Sequence, residues 1–271
     1  MPALITLLTD YGTADSYVAE VKGVLLSRVH GAQLIDITHQ VPPGDLRAGQ
    51  YILSRVWQRF PQGTVHLVVV DPGVGTARRA LAAGAAGHFF VAPDNGVLSP
   101  LPPDAHFVSL PIPAGAAATF HGRDVFAPAA AQLAIGASLS HLGHPITDAL
   151  RTPLPAPRRD GPALVGEVLY QDCFGTLVSN VPGELVRPGA RITLAGTEIG
   201  PLGRTFGDVA RGQLVAFVGS GGMVEIAVRD GSAARLLGVG VGAEVRTVEG
   251  DRKSTRLNSS HEWISRMPSS A

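Results

Sequence analysis

Apolar residues run together at ALITLL (3–8) and stop at a polar turn, Thr9-Asp10-Tyr11-Gly12, the pattern of a strand buried on both faces. Val18, Val21, Leu25, Leu26 and Val29 then recur at helical spacing, with Asp15 placed as the N-cap. The alternation repeats through QLIDI at 33–37, a helical stretch from Asp45 to Phe60, and VHLVVV at 65–70. Strand, helix, strand, helix, strand predicts a parallel sheet with crossover helices. HFFVA at 88–92 and HFVSL at 106–110 add strands. An Ala-rich helix from Asp124 to Ile135 closes an α/β domain over 1–151 with a mostly parallel sheet.

At 152–162, TPLPAPRRDGP carries four prolines in eleven residues, too many for the interior of an element, and reads as an interdomain linker. Beyond it, ALVGEVLY, RITLAG, QLVAFVG, MVEIAV and ARLLGVGV are short β-rich runs separated by glycine turns. No helix-length amphipathic pattern intervenes, so 163–250 is predicted as a small all-β, barrel-like domain. From 251 to 271 the chain turns Ser/Arg-rich and holds Lys253, one of only two lysines, the other being Lys22. DRKSTRLNSSH at 251–261 resembles the in-frame translation of a widely used sequencing-library adapter, and RMPSSA at 266–271 fits its continuation. This tail is set aside from fold and function.

Composition narrows the function classes. The 271 residues carry 22 basic and 22 acidic side chains, and setting the tail aside leaves the acidic ones slightly in excess. That balance lacks the basic footprint of a nucleic-acid or membrane-surface protein. At 45% hydrophobic and 16% charged residues the chain is globular, not disordered. Cys173 is alone and forms no internal disulfide, and no apolar run reaches spanning length, so a cytoplasmic location is expected.

Ligands of open α/β sheets bind beyond the carboxyl ends of the strands, where Asp10 and Asp71 fall. Asp71 opens PGVGTARR, a Pro/Gly turn followed by Arg78 and Arg79. Neither a Walker motif nor a GxGxxG dinucleotide fingerprint is present. On spacing alone Asp71 is equally a turn carboxylate capping backbone amides or an acid facing a ligand. In FHGRDVFAP (120–128), His121 stands in a glycine turn where it is held accessible and titratable. Taken alone, though, that segment reads first as ordinary capping by Asp124 with a solvated Arg123. His39 at the end of QLIDI is a further candidate by position. No His/Cys/Asp spacing matches a zinc site, so no metal is implied. Asp172-Cys173-Phe174-Gly175 and Gly219-Ser220-Gly221-Gly222 read first as hairpin turns, and Cys173 has no base nearby in sequence.

Five segments change the balance together: LLTDYGTADSYVAEVKGV (7–24), VVVDPGVGTARRA (68–80), APDNGVLSP (92–100), FHGRDVFAPAAA (120–131) and GSGGMVEIAV (219–228). In order, across 3–250, they resemble the S-adenosyl-L-methionine (SAM) hydroxide adenosyltransferases, or SAM hydrolases, which are related to fluorinase and chlorinase enzymes. The resemblance implies an α/β domain followed by a β-barrel, a homotrimer, and SAM held between the first domain of one subunit and the second of its neighbour. It implies a water-handling trio of Asp71, Arg78 and His121, with Asp10 on the ribose hydroxyls. Asn95, Asp172, Phe174, Ser220 and Glu225 become further substrate-binding positions. No cofactor is implied, since SAM is the substrate.

Two features separate the chain from the halogenase relatives, in which the position of Asp71 is a tyrosine and that of Gly122 a halide-holding serine. The loop inserted in fluorinase near Ala82 to Phe90 is also missing. Within the family pattern, Thr176 stands where an asparagine is expected, and Ser220-Gly221 replaces a Ser-Ser or Ser-Arg pair. The reaction implied is attack of water or hydroxide on the ribose C5′, releasing methionine and adenosine. The alternatives are a SAM-dependent halogenase and a non-catalytic SAM or adenosine sensor. A sensor would need none of the trio.

Overall fold

The computed structural model describes residues 2–248. The tail set aside above lies outside the described residues. The first apolar run is β1 (Leu4–Thr9), followed by α1 (Tyr17–Arg28) and β2 (Gln33–Thr38). The N-cap of α1 is Ser16, not Asp15, and its hydroxyl bonds the Glu20 carboxylate. Next come α2 (Leu46–Val56), capped by the Asp45 carboxylate accepting from the Ala48 amide, and β3 (Val65–Val69).

The sheet continues with β4 (Ala80–Ala85), β5 (His88–Pro93) and β6 (His106–Leu110). A π-helical turn at Gly122–Phe126 runs into α3 (Ala127–Ala134), and α4 (Leu139–Leu142) and β7 (His144–Ile146) complete the layer. The strand order is β2-β1-β3-β5-β4-β6-β7. Its first three pairings are parallel and its last three antiparallel, so the sheet is mixed and the expectation of a mostly parallel sheet is corrected. The cause is β4, ALAAGA, which lacks the β-branched residues that mark a strand. Ala86 and Gly87, both at positive φ (47° and 79°), fold it back on β5 as a two-residue hairpin.

Side-chain alternation divides the core in two. Ile5, Leu7, Leu67 and Val69 pack with Val21 and Leu25 of α1 and with the alanines of α3. Leu8, Val68, Val70 and Phe90 face the other way, against Leu53 of α2 and Trp57. Leu53 is fully buried, and truncating such a side chain to alanine costs about 2–5 kcal/mol.

The prolines at 153, 155 and 157 lie outside regular structure, but the segment is tied down: Gln50 Nε2 donates to the Thr152 carbonyl at 2.9 Å and Asn180 Nδ2 to that of Pro155 at 2.8 Å. Its end forms a strand that the proline count had hidden, β8 (Arg158–Asp160). Then follow β9 (Ala163–Gln171), β10 (Leu177–Pro182), β11 (Arg191–Leu194), β12 (Thr197–Gly203), β13 (Leu214–Val218), β14 (Met223–Val228), α5 (Ala233–Leu237) and β15 (Glu244–Val248). Strands β10-β14-β13-β12-β11-β15-β9 close through a β10–β9 pairing into a seven-stranded barrel, with β8 appended to β9. ARLLGVGV is not a strand: Ser232 caps α5, and Gly238, in the left-handed region, ends it.

Candidate active site

Strands β1 and β3 are parallel neighbours in the register Thr9↔Val69, so Asp10 and Asp71 leave the sheet side by side. The turn between β2 and α2 comes up against them, and the Gly44 amide donates to Asp10 Oδ2 at 2.9 Å. Burial raises the Asp10 carboxyl above its ordinary value, opposed by bonds from the Gly44 and Asp10 amides, while the charge of Asp71 adds to the rise.

After Asp71 the chain reverses through two tight turns, Val74 N to Asp71 O and Thr76 N to Gly73 O, both 3.2 Å, with Gly75 at φ +77°. This return brings Arg78 back over Asp71. Arg78 Nε donates to both carboxylate oxygens, at 3.0 and 3.1 Å, and Nη2 donates to Oδ2. The side chains are 8% and 6% exposed, and breaking a buried pair of this kind costs about 3–5 kcal/mol. Nη2 also lies 2.9 Å from His121 Nδ1. A guanidinium only donates, so Nδ1 must accept and the ring proton sits on Nε2. Burial, then the Arg78 charge, lowers the His121 pKa, against the pull of Asp71 and Asp124. Arg78 Nη1 is buried without a hydrogen-bond partner among the described residues.

His121 is therefore not the accessible turn residue expected from its glycine neighbour, but a 4% exposed side chain at the head of the π-helical turn. Asp124 is likewise not the N-cap of α3. It lies within that turn, accepting from the Ala117 amide and pairing with Arg123, which also binds Glu20. Asp10, Asp71 and His121 line a cavity of about 170 Å³, walled by Tyr11, Tyr17 and Phe120. Tyr17 and Phe120 meet edge to face at 5.4 Å. A site for a drug-sized ligand spans roughly 300–1,000 Å³, so this cavity takes only part of one.

The remaining positions lie elsewhere. Asn95 supports the site from beneath: its amide donates to the Val70 carbonyl at 2.8 Å and its oxygen accepts from the Val97 amide. Asp172 Oδ1 holds its own turn through the Phe174 and Thr176 amides, while the Phe174 ring is 76% exposed. Ser220 tips the β13–β14 hairpin, where Arg55 of α2 donates to its hydroxyl at 3.1 Å and covers Gly221. Burial, then Asp172, raises the Glu225 carboxyl, and Arg55 opposes this. His39 is buried, with Nδ1 bonded to Thr9 Oγ1, and braces the strand ends outside the cavity lining. Sequence reasoning missed Tyr11 and Arg55. Tyr11 lies inside the Thr9-Asp10-Tyr11-Gly12 turn, whereas nothing local links Arg55 to a residue 165 positions away.

Among the described residues no three His, Cys, Asp or Glu side chains group as metal ligands. The family model for the SAM hydroxide adenosyltransferase N-terminal domain matches residues 5–143, and that for the C-terminal domain matches 166–246. The chain is 41% identical over 256 residues to an (R)-S-adenosyl-L-methionine hydrolase of Salinispora tropica, covering 91% of this chain and 98% of the relative. It is 42% identical over 257 residues to another of that name from Thermus thermophilus, covering 89% and 98%. A fluorinase of an Actinoplanes species stands at 29%, with 84% and 92% covered. The crystal structure of an uncharacterized conserved protein from Thermotoga maritima superposes with TM-score 0.83 at 34% identity, covering 90% of this chain and all of that one. Two family models in order, and hydrolase relatives matched nearly end to end, establish that the chain belongs to the SAM hydroxide adenosyltransferase family.

Proposed function

We propose that the chain hydrolyses SAM to adenosine and L-methionine. A water oxygen bonds to the ribose C5′ as the C5′–S bond breaks, its electron pair stays on sulfur, and methionine leaves as a neutral thioether. The leaving sulfur needs no proton, so this chemistry requires neither a general acid nor a cofactor. What it requires is a water held in line with the C5′–S bond and a receiver for its proton.

The observation that carries the reading is the Asp71–Arg78–His121 contact at the cavity beside Asp10. Asp10 accepts from the vicinal ribose hydroxyls. Asp71, bonded by Arg78 through both carboxylate oxygens, still has acceptor capacity for the water. It takes the proton once the C–O bond has formed and that oxygen has become acidic. His121, neutral, offers Nε2–H to the same oxygen. Gly122 supplies no side chain for a halide, which favours water over chloride or fluoride as nucleophile. Incubating the protein with SAM in separate chloride and fluoride buffers tests this. Adenosine and methionine are expected in both, and 5′-halo-adenosine would overturn the assignment.

The same proposal includes a homotrimer whose sites form between copies. The cavity lining comes wholly from the N-terminal α/β layer. Arg55, against Ser220 of the barrel, lies ten residues along α2 from Asp45, about 15 Å at 1.5 Å per residue. A closed ring of copies, one cavity facing the next barrel, joins what a single chain holds apart. Among the described residues no helix is long and apolar enough to cross a membrane. The proposal places the enzyme in the cytoplasm.

A further inference from the structure

His39 stands behind the turn that carries Asp10, 4% exposed and outside the cavity lining. Its place follows from a slip in the parallel pairing of β1 with β2: Leu7 pairs with Asp36 but Leu8 with Thr38, so Ile37 is an extra residue. Such bulges re-aim the side chains that follow them. Without the slip Thr38 would come opposite Thr9. With it, Thr9 and His39 leave the sheet together, and Thr9 Oγ1 lies 2.8 Å from His39 Nδ1.

The backbones of the two turns are joined at the same place. The Gly12 amide donates to the His39 carbonyl at 2.7 Å and the Val41 amide to the Thr9 carbonyl at 3.4 Å, while the Gly44 amide reaches Asp10 Oδ2. The Thr9 hydroxyl accepts from the Tyr11 amide at 3.3 Å. Its own proton needs an acceptor, and among the described residues His39 Nδ1 is the one within reach. The hydroxyl therefore donates to Nδ1, and the ring proton sits on Nε2. Nε2 faces Asp36, whose Oδ1 lies 3.1 Å away but too poorly aligned for a hydrogen bond, while Lys22 holds Oδ2 at 2.6 Å. The carboxylate favours the proton on Nε2 and so keeps Nδ1 an acceptor.

We propose that His39 is a positioning residue for adenosine binding: through the Thr9 hydroxyl it fixes the turn that aims Asp10 into the cavity. It touches no ligand and acts through Asp10. The inference rests on the hydrolase reading above, in which Asp10 accepts from the ribose hydroxyls.

The test separates the acceptor from the bulk of the ring. His39→Leu keeps much of the bulk and leaves the Thr9 hydroxyl proton unpaired. Adenosine affinity, measured by calorimetry, is expected to fall about three- to tenfold, the worth of one neutral hydrogen bond. His39→Asn leaves a void but returns a carboxamide oxygen to the place of Nδ1. It should unfold at lower urea concentration yet bind adenosine within twofold of wild type, a split that a packing role does not produce. Thr9→Val and Thr9→Ser repeat the contrast from the other side of the bond, and decide the matter if the His39 variants fail to fold. In an Asp10→Ala background, His39→Leu should weaken adenosine binding by less than a further twofold. Wild-type affinity in His39→Leu or Thr9→Val, equal losses in His39→Leu and His39→Asn, or full additivity with Asp10→Ala overturns the inference while leaving the hydrolase reading standing. A wild-type protein that binds no adenosine and leaves SAM intact removes both.

Discussion

The hydroxyl of Tyr11 occupies the space directly over Gly122, so that any Cβ at residue 122 would collide with it. Tyr11 is held there by Phe120, edge-on at 5.9 Å, and by Tyr17 at 6.0 Å. It cannot swing aside without disturbing the cavity wall. Gly122→Ala is therefore expected to lower kcat/KM at least tenfold, and Tyr11→Phe in that background should restore much of it by removing the colliding oxygen. Steady-state kinetics on the two single variants and the double variant check this. Simple additivity would show that the two residues do not share this space.

The acids at the ends of β1 and β3 should separate by role. Asp71→Asn and His121→Ala are expected to lower kcat by about 10²- to 10⁴-fold, the range for a proton-handling group, with adenosine affinity nearly unchanged. Asp10→Ala should weaken adenosine binding roughly ten- to a hundredfold through loss of the hydrogen bonds to the ribose diol. Calorimetry with adenosine distinguishes them, and equal losses in Asp10→Ala and Asp71→Asn would show the roles to be misassigned.

Stability should fall on the acid side of neutrality. His66, fully buried, shares Nδ1 with Thr6 Oγ1 at 2.8 Å and Nε2 with His88 Nδ1 at 3.2 Å. Burial and then His88 lower its pKa to about 3, against 6.5 for a free histidine. Between those values the unfolded chain binds a proton that the folded chain refuses. The stabilisation is complete above pH 6.5 and is lost as pH falls, by about 1.4 kcal/mol per pH unit for this group. His88 and His121, also lowered, add in the same sense. Urea unfolding at pH 7 and pH 5 measures the difference, and equal stability at both would contradict it.

The sequence made the buried β-branched runs legible. VHLVVV and MVEIAV are strands because little else fits such runs. ALAAGA (β4), LVSNVP (β10) and TEIGPLG (β12) were missed because alanine, proline and glycine carry little strand preference, and neighbouring strands hold them in place. ARLLGVGV was misread although Ser232 and Gly238 bracket a short helix with ordinary caps. Position alone left Asp71 and His121 ambiguous, and the motifs taken together gave them a shared role. Their link through Arg78, 43 residues before His121, exists only in the folded chain. The burial of His121 was illegible because it depends on how the π-helical turn packs.

The most direct test of the hydrolase reading is hydrolysis of SAM in water enriched in oxygen-18, with the products resolved by mass spectrometry. Attack at C5′ predicts adenosine carrying one heavy oxygen at its 5′ hydroxyl, and methionine without label. Unlabelled adenosine, label on methionine, or no adenosine at all would contradict the account.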